Sequence, residues 1–400
     1  MIPEKLFRNP FMTDRSKNQG ILIGDMEVLS ENELRLYCPL KWHEGIPEGG
    51  IGLGIADIDF KGPEGIVEWI SSRLTEEYHF YQKREGLDFA IEAVKEFLKR
   101  KEMANATIQL IPGTMAGIYA SMKFASSMEG EVAIVNPIYP PVHFHASSEK
   151  NRIAWVGLDD QYRLDHDSLQ ETVSTDTKLL GIVHPNNPTG TVFTDEDFRL
   201  IRDLAVDYDF ICFSDELYDP LAFNGAKKSL GSFEGMENRT ITLFGFSKAY
   251  GLAGLRAGFM AIQLQDSTKI QEIVEHLLVS PSPVTSIVTE YALKEEKVLK
   301  WVKDFRETMR VNMEFASKVF DDEGYSCPKP DGGLFVFPDI GKKDDVRFCD
   351  QLLREKGVEV VPGSKFGPDG IGHIRVNCAT SMERLEDGIG RIIEFLSYDK

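Results

Sequence analysis

The sequence predicts an α/β protein: a large domain built on a mostly parallel sheet wrapped by helices, and a smaller α+β domain. Three observations carry this expectation. Between about residues 65 and 265, short apolar runs alternate with stretches of helical spacing. The runs are continuously apolar, as in strands buried on both faces, and such strands require helices on both sides of the sheet. After residue 285 the style changes to long amphipathic helix followed by shorter mixed elements.

Taken in order, GIVEWISSRL (65–74) and LDFAIEAVKEFLKRK (87–101) space their apolar residues as helices do. TIQLIPG (107–113), EVAIVNP (131–137), KLLGIVHP (178–185), FICFSDE (210–216), TITLFGF (240–246) and RAGFMAI (256–262) each have the length and composition of a buried strand. TDEDFRLIRDLAVDY (194–208) opens a helix, because Thr194 with Asp197 forms a capping-box pattern and acids fill the first turn. Residues 284–320 read as a long amphipathic helix with room for a break. GGLFVFPDI, FCDQLLREKGVEVVPG, HIRVNCAT and the final helix MERLEDGIGRIIEFLSY complete the smaller unit. The expected division is a large domain at 46–285 and a small domain formed by 1–45 and 286–400. The first 45 residues are too few for a domain and are expected to pack on the C-terminal unit or on another subunit.

Composition narrows the function. The 400 residues hold 45 basic and 64 acidic side chains, a net charge of −19. A phosphate-backbone surface needs excess Lys and Arg, so nucleic acid is not an expected partner. No apolar run approaches the roughly 18–20 residues that span a bilayer, so no membrane partner is expected. MIPEKLFRNPFMTDRSKNQG lacks the charged-then-apolar pattern of a signal peptide. The five cysteines form no CxxC pair, which argues against a disulfide framework and a zinc site. A soluble cytoplasmic protein without a metal is expected.

Ligands of open parallel sheets bind beyond the carboxyl ends of the strands, so the residues that follow each strand matter most. After TIQLIP comes GTMAG (113–117), a glycine turn entering a helix, whose free N–H groups suit a phosphate; an ordinary strand–helix turn accounts for it equally. After KLLGIV comes HPNNPTG (184–190), whose prolines and glycine would present Asn186 and Asn187 rigidly. After FICFS comes DELY, with Asp215 at the strand end and Tyr218 three residues on; a helix-capping aspartate is the plainer alternative. After TITLFGF come Ser247 and Lys248, then Arg256. Apolar neighbours around Lys248 suggest partial burial, which lowers a lysine's pKa towards nucleophilicity. A lysine amine for an aldehyde, a carboxylate for a ring nitrogen, Tyr and Asn for a phenolate oxygen, and Arg, Ser and a helix N-terminus for a phosphate are together what pyridoxal 5′-phosphate requires.

With NNPTG, SDELY and SKAYGLAGLRAG in this order and spacing, the chain resembles the fold-type-I pyridoxal-phosphate enzymes, specifically the class I/II aminotransferases, over nearly its whole length. The resemblance implies a three-layer α/β/α large domain and a homodimer. It implies that Lys248 is the Schiff-base lysine, that Asp215 pairs with the pyridinium nitrogen, and that Asn187 and Tyr218 bind the ring O3′. Tyr139, in NPIYPP, matches the aromatic that stacks on the ring. Ser247 and Arg256 match phosphate ligands, with the backbone N–H groups of Thr114 and Met115. Tyr81, in YQKREG, matches a tyrosine that reaches the neighbouring subunit's phosphate. Arg375, in HIRVN, matches the arginine that grips the substrate α-carboxylate, and Asn187 and Ala56 fall at substrate-side positions.

Four positions depart from that pattern. Gly245 replaces a frequent phosphate-binding serine, Met115 stands where a hydroxyl is common, His184 replaces a frequent asparagine, and Ala56 a frequent glycine. GIADIDF (54–60), with IYPP, also resembles the cystathionine β-lyase-like C–S lyases. The expected reaction is ping-pong transamination between an L-amino acid and a 2-oxo acid, with Lys248 moving the proton and Asp215 keeping the ring cationic. The alternative is β-elimination by a C–S lyase. VEHLLVSPSPVTS offers Leu277 and His276 but no second arginine, which disfavours strict aspartate specificity and suggests an apolar or aromatic donor.

Overall fold

The computed structural model describes residues 26–224 and 228–398; residues 1–25, the larger part of the expected N-terminal arm, lie outside the described residues. The described chain opens with α1 (Glu31–Tyr37), β1 (Ile51–Gly52), α2 (Ile66–Arg73) and α3 (Asp88–Arg100). Strand and helix then alternate through β2 (Thr107–Ile111), α4 (Thr114–Ala125), β3 (Glu131–Val135), α5 (Pro140–Ser148), β4 (Arg152–Val156), α6 (His166–Thr172), β5 (Thr177–Val183), α7 (Asp195–Tyr208) and β6 (Ile211–Asp215). Next come β7 (Arg239–Gly245), β8 (Gly258–Leu264), α8 (Thr268–Leu278), α9 (Pro283–Lys294) and α10 (Glu296–Asp322). The C-terminal part holds β9 (Phe335–Val336), β10 (Asp339–Lys342), α11 (Asp345–Lys356), β11 (Val358–Glu359), β12 (Val361–Pro362), β13 (Gly372–Asn377) and α12 (Met382–Tyr398).

Among the described residues the largest sheet has seven strands in the order β2-β8-β7-β6-β5-β3-β4. All pairs are parallel except those made by β8, which runs antiparallel to both β7 and β2. The reason lies in the connection. Residues 246–257 contain a three-residue 3₁₀ turn, Ala253–Leu255, and no crossover helix, so the chain doubles back beside β7.

The continuous apolar runs feed two separate cores. Along β3, Val132 and Ile134 face one core while Ala133 and Val135 face the other; in β5, Leu179 and Val183 oppose Leu180 and Ile182. Alternate residues thus bury against helices on opposite faces, which is why no polar residue interrupts the run. The helix at α7 starts where the capping box was expected: the Thr194 hydroxyl accepts from Asp197 N, and Asp197 reaches back to Thr194 N at 2.7 Å. The apolar helix of 284–320 is broken at Glu295, whose extended backbone (φ −77°, ψ 118°) separates α9 from α10.

The smaller sheet is antiparallel, with β12 and β10 flanking β13 and β9 also pairing with it. β1, in the N-terminal part, pairs in parallel with β11 in the C-terminal part, and Arg384 of α12 donates to the Leu29 carbonyl at 2.7 Å. No helix among the described residues is long and apolar enough to cross a membrane.

Candidate active site

The register of the large sheet assembles the site. Val183 of β5 pairs with Asp215 of β6, Asp215 with Leu243 of β7, and Gly245 with Gly258 of β8, which also pairs with Ile111 of β2. The carboxyl ends of β2, β5, β6 and β7 therefore lie along one edge, and each is followed by one of the turns singled out from sequence. Because β8 runs backwards, the turn after β7 leaves from that edge and returns to it. Lys248 and Arg256, eight residues apart, are brought to the same crevice.

Lys248 donates from Nζ to the Ala56 carbonyl. Desolvation pulls its pKa down to about 8; Arg375, Arg256 and Lys41 push the same way and Asp57 opposes them. Asp215 is buried at the end of β6, where its Oδ1 accepts from Leu217 N at 3.2 Å. No described cationic side chain forms an ion pair with it, and burial raises its pKa to about 7. A buried carboxylate with no counter-ion from the chain is costly unless a cation is supplied. Tyr218 is buried nearby, and burial pushes its hydroxyl pKa up while Asn187 lowers it. Asn187 Nδ2 is itself buried and makes no hydrogen bond of good geometry. A donor amide facing a tyrosine hydroxyl is the arrangement an acceptor oxygen such as a pyridine O3′ would complete.

The phosphate side is equally specific. Gly113 (φ +87°), two residues past β2, caps the start of α4, a 12-residue helix whose first N–H groups, at Thr114 and Met115, have no intrahelical partner. The Arg256 guanidinium lies against Gly113 and donates to the carbonyls of Ala253 and Pro112, each at 3.0 Å. Ser247, in the turn that leaves β7, is buried. Tyr139 caps α5, and its hydroxyl donates to Met115 Sδ at 3.6 Å. Its ring sits among Asp215, Arg375 and Arg256, all of which act on its hydroxyl after desolvation has raised the pKa. These residues fit pyridoxal phosphate: a lone buried carboxylate, an amide–phenol pair, a reactive amine and an anion cradle face one space.

Arg375, on β13, is buried between the rings of Phe335 and Phe366, with its guanidinium carbon 4.2 and 5.0 Å from their centroids. Nη1 donates to Asn187 Oδ1 at 2.9 Å and Nη2 to the Gly54 carbonyl at 2.7 Å, while Nε has no partner. Desolvation lowers its pKa to about 10. A guanidinium met only by neutral acceptors is suited to a carboxylate. Tyr81 is not brought to this crevice; it stands 83 % exposed on the surface.

Sequence reasoning missed the aromatic clamp of Phe335 and Phe366, and it missed Lys41 and Asn377, which bond the backbone beside Ala56. GGLFVF and HIRVN carried the signal only as apolar and strand-like residues. His184, unexplained from sequence, accepts from Phe193 N at 3.3 Å and packs against Phe193 and Phe198, so it anchors the turn that presents Asn187.

The description "Aminotransferase class I and II" belongs to a family model that matches residues 48–392. An aromatic-amino-acid aminotransferase of Thermococcus litoralis is 31 % identical over 387 residues, covering 94 % of this chain and 98 % of the relative. An aspartate aminotransferase of Pyrococcus abyssi is 32 % identical over 366 residues, covering 88 % and 92 %. Among solved structures, an aromatic aminotransferase from Pyrococcus horikoshii superposes with a TM-score of 0.82 at 29 % identity, covering 88 % of this chain and 96 % of that one.

Proposed function

Since the chain belongs to the class I and II aminotransferases and is a pyridoxal-phosphate-dependent transaminase, we propose that its chemistry is carried by Lys248, Asp215 and Tyr218 in the crevice described above. The observation that carries this assignment is the convergence there of Lys248, Asp215 and Arg375, three ionisable groups that form no ion pair among the described residues. Relatives named as aminotransferases favour transamination over the C–S lyase alternative.

When bound, the cofactor supplies an aldehyde and a cationic ring that accepts the electron pair of a broken Cα–H bond. The chain's residues do the rest. Lys248 Nζ, with its pKa pulled down to about 8 by desolvation, would be the amine that holds the aldehyde and the base that takes the proton leaving substrate Cα. Asp215 would keep the ring nitrogen protonated. Asn187 and Tyr218 would hold O3′, with Tyr139 against the ring. Arg256, Ser247 and the N–H groups of Thr114 and Met115 would hold the phosphate. Arg375 orients the substrate α-carboxylate beside Asn187, with Ala56 lining the same side. Phe335 and Phe366 exclude water from that contact.

We propose further that donors are apolar or aromatic amino acids, because the arginine is walled by rings and no second arginine was found before Ser280. We also propose a cytoplasmic homodimer in which Tyr81 completes the partner's phosphate site. The exposed strip of Val67, Leu74, Phe80 and Tyr81 supports the dimer, and five unpaired cysteines support a reducing compartment. The large domain is taken as 46–285 and the small one as 1–45 with 286–400. Borohydride reduction of the holoenzyme followed by peptide mapping finds the cofactor on Lys248, and mixing with a donor panel gives the pyridoxamine-type absorbance change. Cofactor trapped on another lysine, or pyruvate and ammonia released from a cysteine thioether without that change, would sink the assignment. A fully active monomer in light scattering would sink the dimer.

A further inference from the structure

The backbone from Gly54 to Asp57 forms a strap whose consecutive carbonyls are each held by a side chain. Arg375 Nη2 takes Gly54 O at 2.7 Å, Asn377 Nδ2 takes Ile55 O at 2.7 Å and Asp57 O at 2.8 Å, and Lys248 Nζ takes Ala56 O. Two of these donors are the groups that must meet cofactor and substrate. The strap is in turn anchored from behind. Lys41 Nζ donates to Asp57 O at 3.1 Å and to Ala379 O at 3.4 Å, and pairs with Asp59 Oδ1 at 2.9 Å. Both side chains of that pair are 0 % exposed. Trp42 Nε1 donates to the same oxygen at 2.9 Å, and Arg384 stands 4.0 Å from the other.

A fully buried Lys–Asp pair is poor evidence of stabilisation, because desolving two ions costs about what their attraction returns. A pair of apolar side chains would hold the strap's ends as well. What the ion pair adds is direction: the ammonium fixes the Asp57 carbonyl, and through it the peptide of Ala56, at one orientation. We propose that Lys41 is a positioning residue for the reaction: with Asp59 and Asn377 it sets the Gly54–Asp57 strap, and the strap sets the starting positions of Lys248 and Arg375. The inference rests on the roles assigned to those two residues above. Lys41 is fully buried, and its ammonium is engaged by the Asp57 and Ala379 carbonyls and by Asp59. Its charge, with those of Asp57, Arg375 and Arg256, also bears on Lys248.

Three variants of the full-length holoenzyme test this, assayed well below the lowest melting temperature among them. K41M leaves Asp59 buried without its lysine and loses both thermal stability and kcat/KM. K41M/D59N removes both charges together. It is expected to recover most of the melting temperature while kcat/KM stays roughly 10- to 100-fold low, since a misplacement near 1 Å suffices for such a loss. N377A leaves the ion pair intact and repeats the kinetic loss, in kcat through Lys248 and in KM through Arg375. In K41M the pH midpoint of the bound cofactor's absorbance moves up, because a cation near Lys248 is gone. Recovery of kcat/KM together with the melting temperature in the double variant, or an N377A enzyme with unchanged kinetics, would overturn the proposal. If K41M does not fold, the double variant and N377A decide. Mapping of the cofactor to Lys248 is read separately, so a wrong lysine and a dispensable Lys41 give different results.

Discussion

The Arg256 guanidinium rests on Gly113: a Cβ added at Gly113 would stand 2.8 Å from Arg256 Nη2. Gly113 also has φ +87°, a conformation that side chains adopt at a cost. Two independent constraints therefore meet at the residue that opens the proposed phosphate cradle. Gly113→Ala should displace Arg256 and strain the start of α4 by about 1–3 kcal/mol. The expected result is a cofactor affinity roughly 10-fold or more below wild type, read by absorbance titration of the cofactor-free protein, with the fold intact by circular dichroism.

Asp215 titrates in the wrong range for an isolated carboxylate, and the sign of its effect can be tested. Its pKa in the folded chain is about 7, raised by desolvation from 3.8. The native cofactor-free protein therefore keeps a proton that the unfolded chain releases, so this group's contribution to stability falls as pH rises from about 4 to about 7. Asp215→Asn removes that penalty. The cofactor-free variant should melt higher than wild type at pH 8 and close to it at pH 4.5. A cationic ring repays the ionised carboxylate, so cofactor should raise the wild-type melting temperature more at pH 8 than at pH 5.5. It should do little for the variant, whose transaminase activity should fall by orders of magnitude.

The catalytic turn was legible because its residues are chemically conspicuous at fixed spacing. Lys248, Arg256, Asp215 and Asn187 were singled out as polar groups after apolar strands, and the register of β5, β6, β7 and β8 explains why they meet. What sequence hid was what depends on long-range folding. The reversal of β8 is decided by the absence of a crossover helix in 246–257, although RAGFMAI reads like any other buried strand. RIAWV (β4) went unrecognised because it is the edge strand, with Arg152 exposed and Val156 buried. Asn377 sits 322 residues from the Ile55 carbonyl, and Lys41, 16 residues from the Asp57 carbonyl, also binds the Ala379 carbonyl 338 residues on; nothing local to either marks it as part of a site.

Lys248 should betray its environment chemically. With desolvation holding its pKa at about 8 against an ordinary 10.5, its amine in the cofactor-free protein should react with an acylating reagent with a half-maximum near pH 8. Surface lysines should lag well behind. The unfolded chain binds the extra proton between those two values, so stability from this group rises with pH across that window. Lys248→Met removes a buried charge with a side chain only one atom shorter, and should raise the cofactor-free melting temperature at pH 7 while abolishing transamination. An acylation midpoint near 10 would refute the shift.

Gly245 invites the opposite experiment, placing there the serine that the family resemblance leads one to expect. The structure argues that the hydroxyl cannot simply be added back. A Cβ at Gly245 would lie 2.8 Å from Leu217 Cδ1 and 3.0 Å from Thr114 Cγ2, both on buried residues. The serine must therefore push Leu217 off the turn behind Asp215, or push Thr114 out of the first turn of α4. Either movement disturbs a group assigned to the cofactor, and overpacking of this kind costs about 1–3 kcal/mol. Gly245→Ser should lower both melting temperature and cofactor affinity. In the Gly245→Ser, Leu217→Ala double variant the Leu217 methyl groups are gone, so the closer of the two contacts is relieved and only that with Thr114 Cγ2 remains. Cofactor affinity should recover there, towards or beyond wild type, because the new hydroxyl can then reach the phosphate. A single Gly245→Ser variant that binds cofactor more tightly than wild type would show that Leu217 and Thr114 yield freely and that steric exclusion is not what keeps glycine at this position.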